Sequence, residues 1–127
     1  MYRPIWAEIS LSNISHNISE FRRIIPNSTI IMATVKANGY GHGAVEVSKK
    51  AINSGVDYLA VASLEEAIKL RKSDIQAPIL ILGYTPPSAA NHVVYWDLTQ
   101  SIFDIEHAEA LSKSGQILGK KAKVHVK

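Results

Sequence analysis

Thr29-Ile30-Ile31-Met32-Ala33-Thr34-Val35-Lys36-Ala37-Asn38-Gly39-Tyr40-Gly41-His42-Gly43 is an apolar run that closes on a single lysine and breaks into a glycine-rich turn. Beta-branched residues dominate positions 29 to 35, and a run of that length predicts a strand buried on both faces, as in a parallel sheet. Lys36 then emerges at the strand's C-terminal edge, where packing gives no reason for a charge. The glycines at 39, 41 and 43 permit positive φ and turn the chain sharply before a helix that opens near Ala44.

The same reading extends outward in both directions. Upstream, after a short extended opening around Trp6 to Ser10, Ile14, Ile18, Phe21 and Ile25 recur at helical spacing, with Ser12 as N-cap and Pro26-Asn27 as the stop. Downstream, the helix of residues 44–54 closes at Gly55, a strand covers 58–62 and a helix covers 64–73. Ser63-Leu64-Glu65-Glu66 fits a capping box at that helix's start. Ile79-Leu80-Ile81-Leu82 predicts a third buried strand ended by Gly83. Pro86-Pro87-Ser88 opens a helix to about Trp96, and Thr99 to Phe103 is a fourth strand. Asp104 caps a helix to about Ser114 with Gly115 beyond it, and Ala122 to Lys127 is a fifth strand.

Strands alternating with helices at short, even spacing predict right-handed βαβ units in one parallel sheet. A doubly wound sheet is satisfied by five strands, whereas a (β/α)₈ barrel needs eight and typically ~250 residues. No G-x-G-x-x-G follows the first strand, which weakens the dinucleotide-binding version of the doubly wound fold.

Composition narrows the function classes. The chain has 127 residues, 46% of them hydrophobic, and a formal net charge of +3, which fits a soluble globular protein. Lys120, Lys121, Lys123 and Lys127 turn the remainder of the chain to −1, so the basicity is an end and not a surface, and nucleic acid is not an expected partner. Cysteine is absent, which excludes disulfides and thiolate metal sites. No stretch approaches the ~20 apolar residues of a membrane span, and the N-terminus lacks a signal-peptide core, so the chain reads as cytoplasmic and without a membrane partner. The histidines at 16, 92, 107 and 125 show no spacing with carboxylates that would build a metal site.

Val35-Lys36-Ala37-Asn38-Gly39-Tyr40-Gly41-His42-Gly43 resembles the pyridoxal-phosphate lysine motif of alanine racemases. Leu59-Ala60-Val61-Ala62, Glu65-Glu66-Ala67 and Ala77-Pro78-Ile79-Leu80-Ile81-Leu82-Gly83 match that family's pattern in order and separation, and the similarity runs from Trp6-Ala7-Glu8-Ile9 to Val124-His125-Val126-Lys127. Gly39 stands where many members carry alanine, a mild departure in a turn. The resemblance decides between the two architectures. It implies an α/β fold in which residues 1–127 form the N-terminal half, about five strands, of a (β/α)₈ barrel domain that binds pyridoxal 5'-phosphate, with the rest of the barrel and a C-terminal β domain outside the sequence given.

The resemblance also implies roles. An amine attacks an aldehyde only when unprotonated, a small minority of an ordinary lysine with a pKa of about 10.4 at neutral pH. In the family the residue matching Lys36 holds pyridoxal phosphate as a Schiff base and then serves as one of two catalytic bases. The residue matching Tyr40 contacts the cofactor phosphate, against the plain alternative of a tyrosine packed over the first helix. Leu82 matches a position beside the pyridine ring, against simple core packing. Lys127 matches a lysine that many members carry as a carbamate, hydrogen-bonded to an arginine beyond the residues given; the plain alternative is a solvated terminal lysine. His42 is read as structural.

The function implied is an isomerase that interconverts L- and D-alanine, supplying D-alanine for peptidoglycan, with a small amino acid as substrate and a homodimer as the complete protein. A tyrosine from the partner subunit's C-terminal domain would be the second base. A serine or broad-specificity amino-acid racemase is the alternative within the class, and a non-enzymatic pyridoxal-phosphate homeostasis barrel the alternative outside it. The 127 residues by themselves are expected to be an inactive fragment.

Overall fold

The computed structural model describes residues 5–127. Helix α1 (Leu11–Ile24) is followed by strand β1 (Met32–Thr34), a single tight turn of helix α2 (Lys36–Tyr40) and helix α3 (Ala44–Asn53). Then come β2 (Tyr58–Val61), α4 (Leu64–Lys72), β3 (Ile79–Ile81), a 3₁₀ turn (Pro87–Ala89) leading into α5 (Ala90–Tyr95), β4 (Thr99–Ile102), α6 (Ile105–Leu118) and β5 (Lys123–Val126).

The strands form one sheet in the order β1-β2-β3-β4-β5, every pair parallel. A strand order that never reverses is what separates a barrel from a doubly wound sheet, because reversal is what puts helices on both faces. The core shows the same thing. Val35, Leu59, Val61, Ile79, Ile81 and Ile102, alternate residues of four strands, pack in one cluster with Ile18 of α1, Ala51 of α3, Leu70 of α4, Val93 of α5 and Leu111 of α6. All the helices therefore cover one face, and the sheet is the first five strands of a singly wound barrel.

The opposite face is open at its two sides. In β1, Met32 is 42% exposed and Thr34 is exposed, while Ala33 and Val35 turn toward the helices. The expectation of a strand buried on both faces therefore fails for β1, which has a single neighbour and only three ladder residues. β5 is exposed at every position, Lys123 and His125 on the open face and Val124 (44%) and Val126 (75%) on the helix-facing side. In the middle of the sheet the two-sided burial does hold, since all three residues of β3 and all four of β4 are buried.

Several boundaries differ from the sequence reading, first that β1 covers only Met32–Thr34 of the strand expected around residues 29–36, so Lys36 opens α2 two residues past the strand. The N-cap of α1 is Ser10 and not Ser12: its hydroxyl accepts from the Asn13 amide at 3.2 Å. The opening around residues 6–10 forms no strand among the described residues, and Trp6 is largely exposed. Helix α6 continues past Gly115 and ends at Gly119, which takes the left-handed C-cap conformation. Gly115 is a packing glycine: a Cβ there would lie 2.7 Å from the carbonyl oxygen of Lys120.

Two arginines brace the N-terminal end of the sheet. Arg71 of α4 donates to the carbonyls of Ile75 (2.7 Å), Ala77 (2.8 Å), Trp96 (2.9 Å) and Asp97 (3.0 Å), tying the approaches to β3 and β4 together. Its partial burial pushes the guanidinium down from its ordinary pKa. Arg22 of α1 donates to the Thr29 carbonyl and the Asp57 carboxylate, and Asp57 also accepts from the Ile31 amide at 2.8 Å. The Ile31 amide, and then the guanidinium, hold the Asp57 carboxyl below the usual carboxylate range. This end of a barrel is where structural bonding concentrates, which leaves the C-terminal end for chemistry.

Candidate active site

Strand register places the side chains on the open face in rows. Thr34, Ala60, Leu80, Thr99 and Lys123 are successive partners across the sheet, and Tyr58, two residues before Ala60, bonds through its hydroxyl to Thr99 Oγ1 at 2.6 Å. Side chains alternate faces along a strand, so Lys36, Ala62, Leu82, Ser101 and His125 form the next row toward the C-terminal edge. Lys36 is half-buried there, and its amine has no hydrogen-bond or ion-pair partner among the described residues. Leu82 is half-buried in the same row, its amide still in the ladder through a 2.9 Å bond to the Val61 carbonyl. Lys127 is brought to this edge as well. Its backbone amide donates to the Ile102 carbonyl at 3.0 Å and its Nζ to the Leu82 carbonyl at 3.2 Å.

The turn after Lys36 is left-handed. Ala37 (φ 50°), Asn38 (φ 54°), Gly39 (φ 65°) and Tyr40 (φ 53°) follow one another in that region. For an L-residue with a Cβ this costs about 1–2 kcal/mol each, so runs of it are rare and are held by their surroundings. Only Gly39 is free of the penalty, and a Cβ at that position would also sit 3.3 Å from the Ala44 amide nitrogen.

The holding bonds can be named. Gly39 N–H donates to the Val35 carbonyl (2.8 Å), Gly41 N–H to the Ala37 carbonyl (3.1 Å) and Gly43 N–H to the Asn38 carbonyl (2.9 Å). The Asn38 side-chain oxygen accepts from Ala44 N–H at 3.2 Å and so caps α3 in place of Gly43, which has no side chain to do it. His42 directs Nδ1 at the carbonyls of Gly39 (3.0 Å) and Tyr40 (3.2 Å), a structural use that requires the proton on that nitrogen. Tyr40 ends the turn 59% exposed, its hydroxyl unpaired among the described residues.

Glu66 supplies the remaining contact. Ser63 caps α4 through a long 3.4 Å bond from the Glu66 amide, but the reciprocal half of the expected capping box is not formed. The Glu66 carboxylate instead reaches across the strand ends: Oε1 accepts from Ala37 N–H at 2.7 Å and Oε2 from Ala62 N–H at 2.8 Å. Beneath it a cavity of about 190 Å³ is lined by Val35, Asn38, Ala44, Val61, Glu66 and Lys69. A larger concavity of about 660 Å³, lined by residues of α6, β5 and the segment between them, contains none of these residues.

The Lys36 turn lies at the C-terminal end of the sheet, and comparison with known proteins shows the family of the chain. The model of the family described as alanine racemase, N-terminal domain, matches residues 9–127. The chain belongs to that family. Among alanine racemase relatives, this chain is 47% identical over 126 residues to alanine racemase 2 of Oceanobacillus iheyensis, covering 99% of itself and 32% of that protein. It is 50% identical over 125 residues to the alanine racemase of Desulfovibrio desulfuricans, covering 98% of itself and 34% of the relative. Among solved structures it superposes on the Clostridium difficile alanine racemase in complex with cycloserine with a TM-score of 0.93 at 40% identity, covering 99% of this chain and 34% of that one. The Bacillus anthracis alanine racemase with bound L-Ala-P matches at a TM-score of 0.83 and 35% identity, covering 99% and 32%. The chain therefore spans about a third of the length of the alanine racemases it matches. No described helix is long and apolar enough to cross a membrane.

Of the residues singled out from sequence, Lys36, Leu82 and Lys127 lie on one face at one edge, and Tyr40 follows on the turn beside them. Asn38 and Glu66 were missed as parts of the site. Asn38 carried no signal beyond its place in the motif. Glu66 did carry one, as the last residue of Ser-x-x-Glu, but that pattern points to a local partner and the true partner lies on another strand.

Proposed function

We propose that this chain supplies the cofactor lysine and the first half of the barrel of an alanine racemase that uses pyridoxal phosphate. The observation that carries the reading is Lys36: a half-buried, unpaired amine on the open face of the sheet at its C-terminal edge, followed by a turn that is left-handed at four successive residues. That donor chemistry fits an aldehyde cofactor, and in this reading Tyr40 serves its phosphate and Leu82 packs beside its ring.

When bound, pyridoxal phosphate supplies an electron sink that makes the α-hydrogen of an amino acid removable. The Lys36 amine would hold the cofactor through its aldehyde carbon and, when free, would take or return the proton at the substrate α-carbon from one face. Leu82 keeps water from that side of the ring, and the Tyr40 hydroxyl donates to a phosphate oxygen. In this reading the neutral Lys127 amine would add carbon dioxide and lose a proton to become a carbamate, an anion at the barrel mouth. Residues 1–127 are the N-terminal part of the barrel domain, and the remaining strands, a C-terminal β domain and a second subunit supply the opposite base. The protein is a cytoplasmic homodimer in this reading, and D-alanine for peptidoglycan its product.

The test is reductive labelling. After borohydride treatment with pyridoxal phosphate, peptide mapping is expected to find the pyridoxyl group on Lys36; finding it on Lys49, Lys50 or Lys69 instead would overturn the assignment. Tyr40→Phe is expected to weaken cofactor binding more than it slows turnover, since its partner is the phosphate and not the reacting carbon. Loss of one hydrogen bond to a charged group costs about 1.5–3 kcal/mol, roughly tenfold to a hundredfold in Kd. Titration of pyridoxal phosphate into the cofactor-free protein measures this, and an unchanged Kd with a large fall in turnover would contradict the role.

A further inference from the structure

We propose that Glu66 is a positioning residue for Lys36: its carboxylate clamps the amides that follow the first two strands and so holds the left-handed turn that aims the lysine. The inference rests on the reading of Lys36 given above. Glu66 does not touch the lysine amine, and its two oxygens are taken by Ala37 N–H (2.7 Å) and Ala62 N–H (2.8 Å).

Ala37 is the first residue after Lys36 and has φ 50° and ψ 48°. A free chain with alanine at this position prefers the right-handed or extended regions, and either would redirect the chain after Ala37, so that a turn still anchored on α3 could be kept only by rotating the peptide that leaves Lys36. The Ala37 amide is the one group whose direction reports that rotation, and it is bound from outside the turn. The bonds from Gly39, Gly41 and Gly43 are internal to residues 35–43, and the Asn38 side chain and the Gly43 carbonyl tie the turn only to α3, which directly follows it. Glu66 alone among the described side chains ties the turn to the end of β2, through the Ala62 amide, while the Ala62 carbonyl still accepts from Gly83 N–H at 3.1 Å.

The geometry also explains why the residue is a glutamate. Two amide donors converge on one side chain, and a carboxylate offers them two acceptor oxygens in a plane. Glutamine offers one oxygen and turns an NH₂ group toward the second donor. Aspartate keeps both oxygens but is one methylene short of spanning two strand ends from the first turn of α4.

The decisive measurement pairs hydrogen exchange with lysine trapping in the protein that carries this chain. Glu66→Gln is expected to speed exchange of the Ala37 and Ala62 amides by about tenfold or more while leaving Leu111 in α6 protected. The rate at which borohydride fixes pyridoxal phosphate on Lys36 should fall by a similar factor. Ala37→Gly removes the strain that the clamp restrains, so adding it to Glu66→Gln should recover most of the trapping rate. Glu66→Asp is expected to resemble Glu66→Gln.

Unchanged amide exchange in Glu66→Gln, with Lys36 still labelled normally, would overturn the clamp and leave the reading of Lys36 intact. No label on Lys36 in the unaltered protein would overturn that reading first, whatever the amides do. Loss of protection throughout the fold in both Glu66 variants, Leu111 included, would show that Glu66 serves general stability and overturn positioning. Strictly additive effects of Ala37→Gly and Glu66→Gln would overturn it as well.

Discussion

Lys36→Ala is expected to abolish racemisation and the visible absorbance of bound pyridoxal phosphate together. The substitution removes the only amine on the open face at the first strand's C-terminal edge, and with it both the covalent anchor and one of the two bases assigned to the α-carbon. Single catalytic groups of this kind are typically worth factors of 10²–10⁴ in proton transfer alone, and here the anchor is lost as well. The fold should persist, since Lys36 makes no hydrogen bond or ion pair among the described residues and an alanine leaves the turn's backbone bonds in place. Turnover followed beside the cofactor's absorption spectrum checks this. Retention of turnover above one part in a hundred of the unaltered protein, with the fold intact by circular dichroism, would move the chemistry to another residue.

The second large effect concerns residues 1–127 expressed alone, which are expected not to racemise alanine. Among the described residues β1 and β5 each pair on one side only, and Met32 on the open face and Val124 and Val126 on the helix-facing side of β5 are exposed to solvent. Unpaired parallel edges with apolar residues beside them invite association, so the isolated chain should run as aggregates or broad oligomers on size exclusion. Even a folded form would have one base on one side of the substrate, and return of the proton to the opposite face would have no donor. A coupled D-amino-acid oxidase assay with added pyridoxal phosphate decides the matter. Turnover clearly above that of the free cofactor would mean that the open half-sheet carries a complete site.

Most of this architecture could be read before any coordinates. The alternation of buried strands with capped helices needs only local information, because burial of β3 and β4 on two faces leaves continuous apolar runs, and serine, aspartate and glycine mark the helix ends by short-range bonds. The errors fall where a local signal has two readings. Ser10 and Ser12 are two serines at the start of the same helix, and which of them caps it depends on where the chain enters it. Gly115 looks like a stop and is a contact, because the Lys120 carbonyl that crowds it belongs to the segment beyond the helix.

The sequence by itself determined the βα alternation, the lysine at a strand's end and the family to which the motif belongs. Side-chain periodicity and chain order are local properties, and they survive without knowing which strand lies beside which. The tertiary structure alone decided three further things. Strand order without reversal put every helix on one face and made the sheet half of a barrel. Parallel register carried Lys36, Leu82 and the end of β5 to one edge, although up to 91 residues separate them in the chain. The third is the Glu66 clamp on Ala37. Residues 37 and 66 are brought into contact by the pairing of two strands, and a left-handed turn that alanine would refuse in isolation becomes the stable one when its amide has a carboxylate to meet.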